Sequence, residues 1–211
     1  MRHTTSYLIA VVTIASPVML RPVAAQSNYQ IALSAGRAFM LDLDDPDPSG
    51  SHSVTGTVER RQTGGFSLGA EAGLHEYLIL HQDLPPDVSG WSSKLEDTRI
   101  AWRVTPFVRW GTGGSIVRVY GQAGLGLYAG HHSYFDQQRE DGELVVDTQY
   151  ASTDVGPGIH LGLGLEVFPG TFPLGLTLGG RSHAVFSGAD GFHNGEIGIV
   201  YRWGNRPQPH P

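Results

Sequence analysis

Residues 195–203 read GEIGIVYRW and close the last alternating segment of the chain before the tail GNRPQPHP. Ile197, Ile199, Tyr201 and Trp203 fall on one side and Glu196, Gly198 and Arg202 on the other, a period of two that argues for a strand. The alternation alone leaves open which face meets water. Upstream, the stretches between turn signals alternate in the same way, and most of the 29 glycines sit on the polar phase. After residue 25 there is neither a helical stripe nor a run of about 18 apolar residues, which excludes a helical membrane span there.

Eight strands are predicted, over 28–42, 64–74, 77–84, 98–110, 115–135, 153–168, 172–186 and 192–203. The connections HE at 75–76, GTGG at 111–114 and PGT at 169–171 are tight, whereas 43–63, 85–97 and 136–152 are long and polar. Strand 98–110 places Ile100, Trp102, Val104, Val108 and Trp110 opposite Arg99, Arg103, Thr105 and Arg109. Strand 153–168 sets Ile159, Leu161, Leu163, Leu165 and Val167 against Gly158, His160, Gly162, Gly164 and Glu166. Strand 172–186 opposes Leu174, Leu176 and Leu178 to Gly175, Thr177, Gly179, Arg181 and His183, while Arg37 spoils a simple phase for the first strand.

Two all-β solutions share this pattern. A secreted barrel of lipocalin type would turn the apolar face inward around a ligand. Glycine argues against it, because glycine on a solvent face neither shields strands nor confers solubility. In a narrow barrel that turns its apolar face to lipid, small inward residues make room for a few long charged ones. Aromatic residues support this choice: Trp110, Phe168, Phe172 and Trp203 fall beside the short turns, and Trp91, Tyr134, Phe135, Phe186 and Phe192 toward the long loops, as two interfacial girdles would. The expected fold is therefore an eight-stranded antiparallel up-and-down transmembrane β-barrel, with long loops at one end and both termini at the other.

Glu196, Gly198, Tyr201 and Trp203 fill a polar-x-Gly-x-x-aromatic-x-aromatic pattern that resembles the C-terminal assembly signal of outer-membrane barrels. GGFSLGAEAGLHEYLIL and QAGLGLYAG are similar to the Gly-rich strands of the small OmpA/OmpX-like, opacity-type eight-stranded barrels. The eight-residue tail departs from the pattern, since the family often ends on the aromatic. The resemblance implies residence in a Gram-negative outer membrane and contact with its lipid. It also implies delivery by periplasmic chaperones and recognition by the barrel assembly machinery.

The N-terminus fits export. Arg2 and His3 precede an apolar run from Leu8 to Leu20 and then RPVAAQ, so residues 1–25 read as a signal peptide cleaved after Ala25, residues 26–203 as the barrel and 204–211 as a short periplasmic tail. Loss of the leader leaves 12 Lys and Arg against 20 Asp and Glu, a formal charge of −8, which argues against nucleic acid as a partner. With no cysteine, the exported chain has no disulfide to hold it together.

Candidate functional residues follow from the inward phase. Glu71, Arg103, Arg109, Arg118, Glu166, Arg181, His183, Glu196 and Arg202 should form a charged network in the lumen, with Glu196 bonded to His183 or Arg181 across the last hairpin. Five arginines against three glutamates permit a narrow anion-selective pore, but eight strands enclose a space that side chains normally fill, which favours a plug. RSHAVFSGADGFHNGE resembles part of the lipid A deacylases, eight-stranded barrels using Ser, His and Glu. The serine expected two residues after His183 is Val185, and His131 with Ser133 lacks the acid. Asp42, Asp44, Asp45 and Asp47 could offer oxygen ligands to Ca²⁺, but the EF-hand order and closing glutamate are absent. His131 and His132 point to opposite faces of one strand and cannot share an ion. The reading is a structural or surface-interaction protein acting through acidic extracellular loops, with no catalytic residue, metal or cofactor expected. A lipid A deacylase-like hydrolase and a porin-like anion pore are the alternatives.

Overall fold

The computed structural model describes residues 28–40, 51–62, 65–87, 90–112, 116–170, 172–186 and 191–204. The signal peptide, the acidic stretch Asp42–Asp47 and most of the tail lie outside them. Eight strands form one closed antiparallel barrel in chain order: β1 (Asn28–Met40), β2 (His52–Arg61), β3 (Phe66–Leu84), β4 (Ser92–Gly111), β5 (Val117–Glu140), β6 (Glu143–Val167), β7 (Leu174–Val185) and β8 (Phe192–Trp203). The barrel closes where β8 pairs with β1, from Tyr29 opposite Trp203 to Met40 opposite Phe192. Closure removes the two edges an open sheet would expose in the barrel wall.

The alternation turns inside out relative to a soluble protein. Leu161, Leu163, Leu176 and Ile197 are each more than half exposed, and Leu163 reaches 74%. Arg103, Arg118, Glu71 and Glu166 are buried at 2% or less. A wall that is apolar outside and ionic inside satisfies its backbone through the closed ladder and needs hydrocarbon around it. At the short-turn end an outward aromatic group comprises Phe66, Trp110, Phe172, Tyr201 and Trp203, with Tyr29 stacked on Trp203 at 5.6 Å.

Strand count and closure match the expectation, but the strand bounds do not all do so. The expected loop 43–63 contains β2, and the expected turn at His75–Glu76 lies inside β3, at a register irregularity between Glu76 and Leu78. The cause is the lumen's polarity: β2 buries Ser53, Thr55, Thr57 and Glu59 and presents Val54, Val58 and Arg60 outward, so its composition imitates a loop. The short connection between β2 and β3 follows Arg61: Gln62 N donates to Phe66 O at 2.7 Å, and Gly65 takes φ +81° just before β3.

The expected loop 136–152 is also largely strand, and the expected loop 85–97 is strand from Ser92 onward. β4 begins at Ser92, and β5 and β6 pair as far as Glu140 and Glu143 around Asp141 (φ 51°) and Gly142 (φ 82°). Two consecutive left-handed residues give the turn twist that matches paired strands, which is why Asp-Gly serves here. Above the barrel wall both faces of these strands are wet, so the apolar alternation fades while pairing persists. Phe168 and Phe192, expected in the girdles, instead point inward at 2% and 0% exposure.

Candidate functional site

Inward side chains from all eight strands meet in the lumen as one polar network. At the short-turn end Glu59 and Glu166 gather the cations. Arg118 Nη1 donates to Glu59 Oε1 at 3.0 Å, and Arg109 Nη1 lies 2.7 Å from Glu59 Oε2 and 2.9 Å from Glu166 Oε1. Glu166 also accepts from Gln30 Nε2 at 2.6 Å and from Arg202 Nη2 at 3.2 Å. Aromatic rings flank these guanidinium groups: Arg109 sits 4.1 Å from the Tyr120 ring centre and Arg202 3.2 Å from that of Phe168. Tyr120 fits because its cross-strand neighbour is Gly164, where a Cβ would lie 2.3 Å from the phenol ring.

Gln122 links this layer to the next, accepting from Arg109 Nη2 at 2.8 Å and donating to Glu71 Oε2 at 2.9 Å. Glu71 is ion-paired to Arg103, and His160 Nε2 lies 3.3 Å from the same carboxylate. Arg103 Nε donates to His75 Nε2 at 2.8 Å. A guanidinium only donates, so Nε2 of His75 must accept, which places the ring hydrogen on Nδ1 and toward Ser53 Oγ at 2.9 Å.

Glu196 ties together the upper lumen. Its Oε2 accepts from Arg181 Nη1 at 2.7 Å and Ser34 Oγ at 2.8 Å, and its Oε1 from Thr55 Oγ1 at 2.6 Å and from Ser53. The residue directly across from Glu196 is Gly179, and Arg181 reaches it diagonally. Pairing between β7 and β8 begins only at His183 and Phe192, so the connection is longer than the alternation implies and the register is displaced. His183 instead has Asn194 Oδ1 at 2.9 Å on Nε2 and Tyr128 OH at 3.1 Å on Nδ1, and stacks on Phe192 at 4.3 Å. Tyr128, Phe192, Ala38 and Ala101 pack together as a small apolar cap at the hairpin end.

All nine lumen residues named from the sequence thus point inward, and Glu59, Gln30, Gln122, His75, His160 and Asn194 join them. Glu59 and His75 escaped sequence reasoning because their strand bounds were misplaced. Glu59 reduces the apparent excess of arginine, although Arg61, half-buried on the same face of β2, adds one cation at the short-turn mouth. A small cavity lined by Ser34, Thr57, Arg109, Tyr120, Arg181 and Glu196 has room for about one water molecule. The network gives each of Glu59, Glu71, Glu166 and Glu196 at least one arginine partner and offers no accessible nucleophile among the described residues. His183 faces the lumen with both ring nitrogens engaged, so it is not placed to reach lipid, and outward His131 pairs with Thr153 Oγ1 at 3.0 Å. Among the described residues, no three His, Asp or Glu side chains are grouped to hold a metal.

Beyond the wall, β3 to β6 continue as a four-stranded antiparallel sheet. β2 pairs with β3 only as far as Glu76, and β7 with β6 only from Gly158, with Phe186 N adding a bond to Pro157 O at 2.9 Å, so 77–84 and 143–156 form its two edges. Asp97 on β4, His132 on β5 and Tyr150 on β6 are bonded in series at 2.9 and 2.6 Å, and Tyr134 stacks on Tyr150 at 5.7 Å. Segments 77–99 and 131–157 carry ten Asp and Glu against Lys94, Arg99 and Arg139.

No protein-family model matches the chain, and no curated protein sequence does. Solved structures do. Ail, the attachment invasion locus protein of Yersinia pestis, crystallised in complex with the heparin analogue sucrose octasulfate, superposes with a TM-score of 0.52 at 9% identity, over 85% of this chain and 100% of Ail. A second Ail crystal structure gives 0.51 over the same shares at 9% identity. Neisserial surface protein A gives 0.49 at 11% identity, over 85% of this chain and 98% of that one. Closed topology, outward apolar wall and the likeness to Ail agree: the chain has the fold of the small eight-stranded outer-membrane β-barrels.

Proposed function

We propose that the protein is exported to a Gram-negative outer membrane, where the barrel is a sealed anchor and the protruding sheet captures basic extracellular polypeptide by strand addition. Residues 1–25 serve as the cleaved leader, and Glu196, Gly198, Tyr201 and Trp203 as the signal read by the assembly machinery. The observation that carries the reading is the edge of β6, whose residues 143–156 have no partner on the β7 side. An exposed edge presents unpaired backbone groups in a row, a template on which an extended peptide can pair. Glu143, Asp147 and Asp154 lie along that edge, and the acidic sheet selects for cationic partners and speeds their encounter. Ail was crystallised with a polyanion. The charge of this sheet points to the opposite class.

The test uses the folded protein in detergent and an extended peptide of alternating Lys and Val. Saturable binding is expected, weakening as salt rises. The same peptide N-methylated at alternate residues should lose binding, because methylation removes the donors that strand pairing needs. Equal binding of the methylated peptide would reduce the interaction to charge alone and overturn strand addition. The alternative of an anion pore is disfavoured by the carboxylate partners of Arg103, Arg109, Arg118, Arg181 and Arg202.

A further inference from the structure

One group of polar side chains breaks the apolar outer wall near its upper margin and has no part in the lumen or the protruding sheet. Ser182 on β7 and His193 on β8 face each other across the ladder, point outward and are bonded, Oγ to Nδ1, at 2.8 Å. One step below them Gly180 pairs with Gly195, both exposed, and Gly195 pairs in turn with Arg37 on β1. A Cβ added at Gly195 would meet nothing within 4 Å. Two side-chain-free positions therefore leave a shallow floor in the wall, bounded by Ser182 and His193 above, Arg37 beside and Leu178 and Ile197 below.

The height of this floor decides what can reach it. His193 lies ten positions along β8 from the girdle residue Trp203, about 25 Å up the wall at ~3.3 Å per residue and a tilt of ~40°. That distance is about the full height of the apolar band of such barrels, so the group stands where acyl chains give way to headgroups. His131 and Thr153 form a similar outward pair, but His131 is 14 positions from the start of β5, well above that boundary and in water. Arg37 is exposed, and its register partner on β8, Gly195, offers it no side chain; it has no hydrogen-bond or ion-pair partner among the described residues. A guanidinium at the margin of hydrocarbon needs an anion. The carboxylate of Glu76, on the outward face of β3, is two strands away, roughly 10 Å at the usual strand spacing.

We propose that Arg37, Ser182 and His193 form a site for a phosphate group of an anionic glycolipid in the outward leaflet, held against the Gly180–Gly195 floor. The guanidinium supplies a forked pair of donors to the phosphate oxygens, and the bonded Ser182–His193 pair supplies one further donor from above, the ring Nε2–H where Ser182 donates to Nδ1 or the hydroxyl where Nδ1–H donates to Ser182. The glycines admit the headgroup to the wall, and Leu178 and Ile197 line the path of its acyl chains. This site rests on the barrel crossing a membrane and is independent of strand addition, so failure of either leaves the other standing.

The test is lipid retention. The folded full chain is placed in phosphatidylcholine nanodiscs doped with diphosphorylated lipid A, and the lipid bound after exchange is counted by native mass spectrometry. The parent should retain lipid A, and Arg37→Ala should lower retention about tenfold, the scale of a lost charge-assisted contact. Ser182→Ala should lower it a few-fold, and His131→Ala should leave it unchanged. Gly195→Leu, which fills the floor without touching charge, should also lower it. Heat-modifiable gel mobility checks that each variant is folded, and His131→Ala and Gly195→Leu keep the comparison open if Arg37→Ala folds poorly. Equal retention by Arg37→Ala, or equal retention of dephosphorylated lipid A by the parent, would overturn the phosphate site. Release of free fatty acid that depends on Ser182 would replace it with a hydrolytic one.

Discussion

Glu196 receives four donors at once, from Arg181, Ser34, Thr55 and Ser53, and it is 3% exposed. Such a carboxylate is held by the network as much as it holds it. Removing its charge leaves Arg181 with only the more distant Glu71 oxygen at 3.5 Å. Breaking one partner out of a buried ion pair costs about 3–5 kcal/mol, and less where water reaches the gap, as the small cavity beside Glu196 permits. Glu196→Gln should therefore lower the denaturant midpoint of the folded barrel. Arg181→Met and Glu196→Leu together should lose about 0.5–3 kcal/mol less than the sum of the two single losses. Additive losses would leave Glu196 with an assembly role only. Gly164 makes the complementary point: its lack of a side chain is what admits the Tyr120 ring, and with it the cover over Arg109.

A single element, β6, passes through two environments, and its sequence changes with them. From Ile159 to Val167 leucine and other apolar residues alternate strictly with glycine, His160 and Glu166, because one face meets lipid and the other a crowded lumen. From Glu143 to Thr153 the alternation dissolves, since neither face is buried. The same substitution should therefore have different effects along one strand. Leu163→Arg should cost roughly 2–4 kcal/mol of folding free energy in lipid vesicles, whereas Val145→Arg should stay within about 0.5 kcal/mol. Equal effects would mean that the lipid-facing phase has been misassigned. The turn that joins β5 to β6 gives a separate test, because a β-branched residue at Gly142 must adopt φ near +82°. Gly142→Val should open the hairpin locally, seen as faster hydrogen exchange over 136–150, with exchange in 100–110 and 159–167 unchanged. Protection lost from both regions would show that the protruding sheet and the barrel unfold as one unit.

At the scale of the whole molecule, the sequence makes the barrel legible and its upper storey illegible for one physical reason. Strands that separate lipid from a packed lumen carry a two-state pattern, as residues 98–110, 159–167 and 174–183 do, and those phases are those of the structure. Strands whose two faces are both polar carry none. β2, with Ser53, Thr55, Thr57 and Glu59 turned to the lumen, and the hairpin over 136–152, exposed along most of its length, therefore resemble loops. The Asp141–Gly142 pair was the one local signal that could have found the hairpin. The inward residues could be named from phase, but their partners could not, because bonds such as Gln30 to Glu166 or Ser34 to Glu196 depend on how the ring closes. Closure also fixes what the lumen can conduct. Eight strands bring opposite walls near enough for side chains to meet, and here they meet as paired ions between Phe168 with Arg202 at one mouth and Tyr128 with Phe192 at the other. An ion moving through would have to displace guanidinium groups from carboxylates buried at 3% exposure or less, a barrier that hydrated pores avoid by keeping their charges apart. In planar bilayers the folded protein should consequently show no steady current. Arg103→Ala with Glu71→Ala, which removes a pair without stranding either charge, should be the variant that begins to leak. A steady anion-selective current through the parent, abolished by neutralising Arg61 at the short-turn mouth, would establish instead that the network rearranges to conduct.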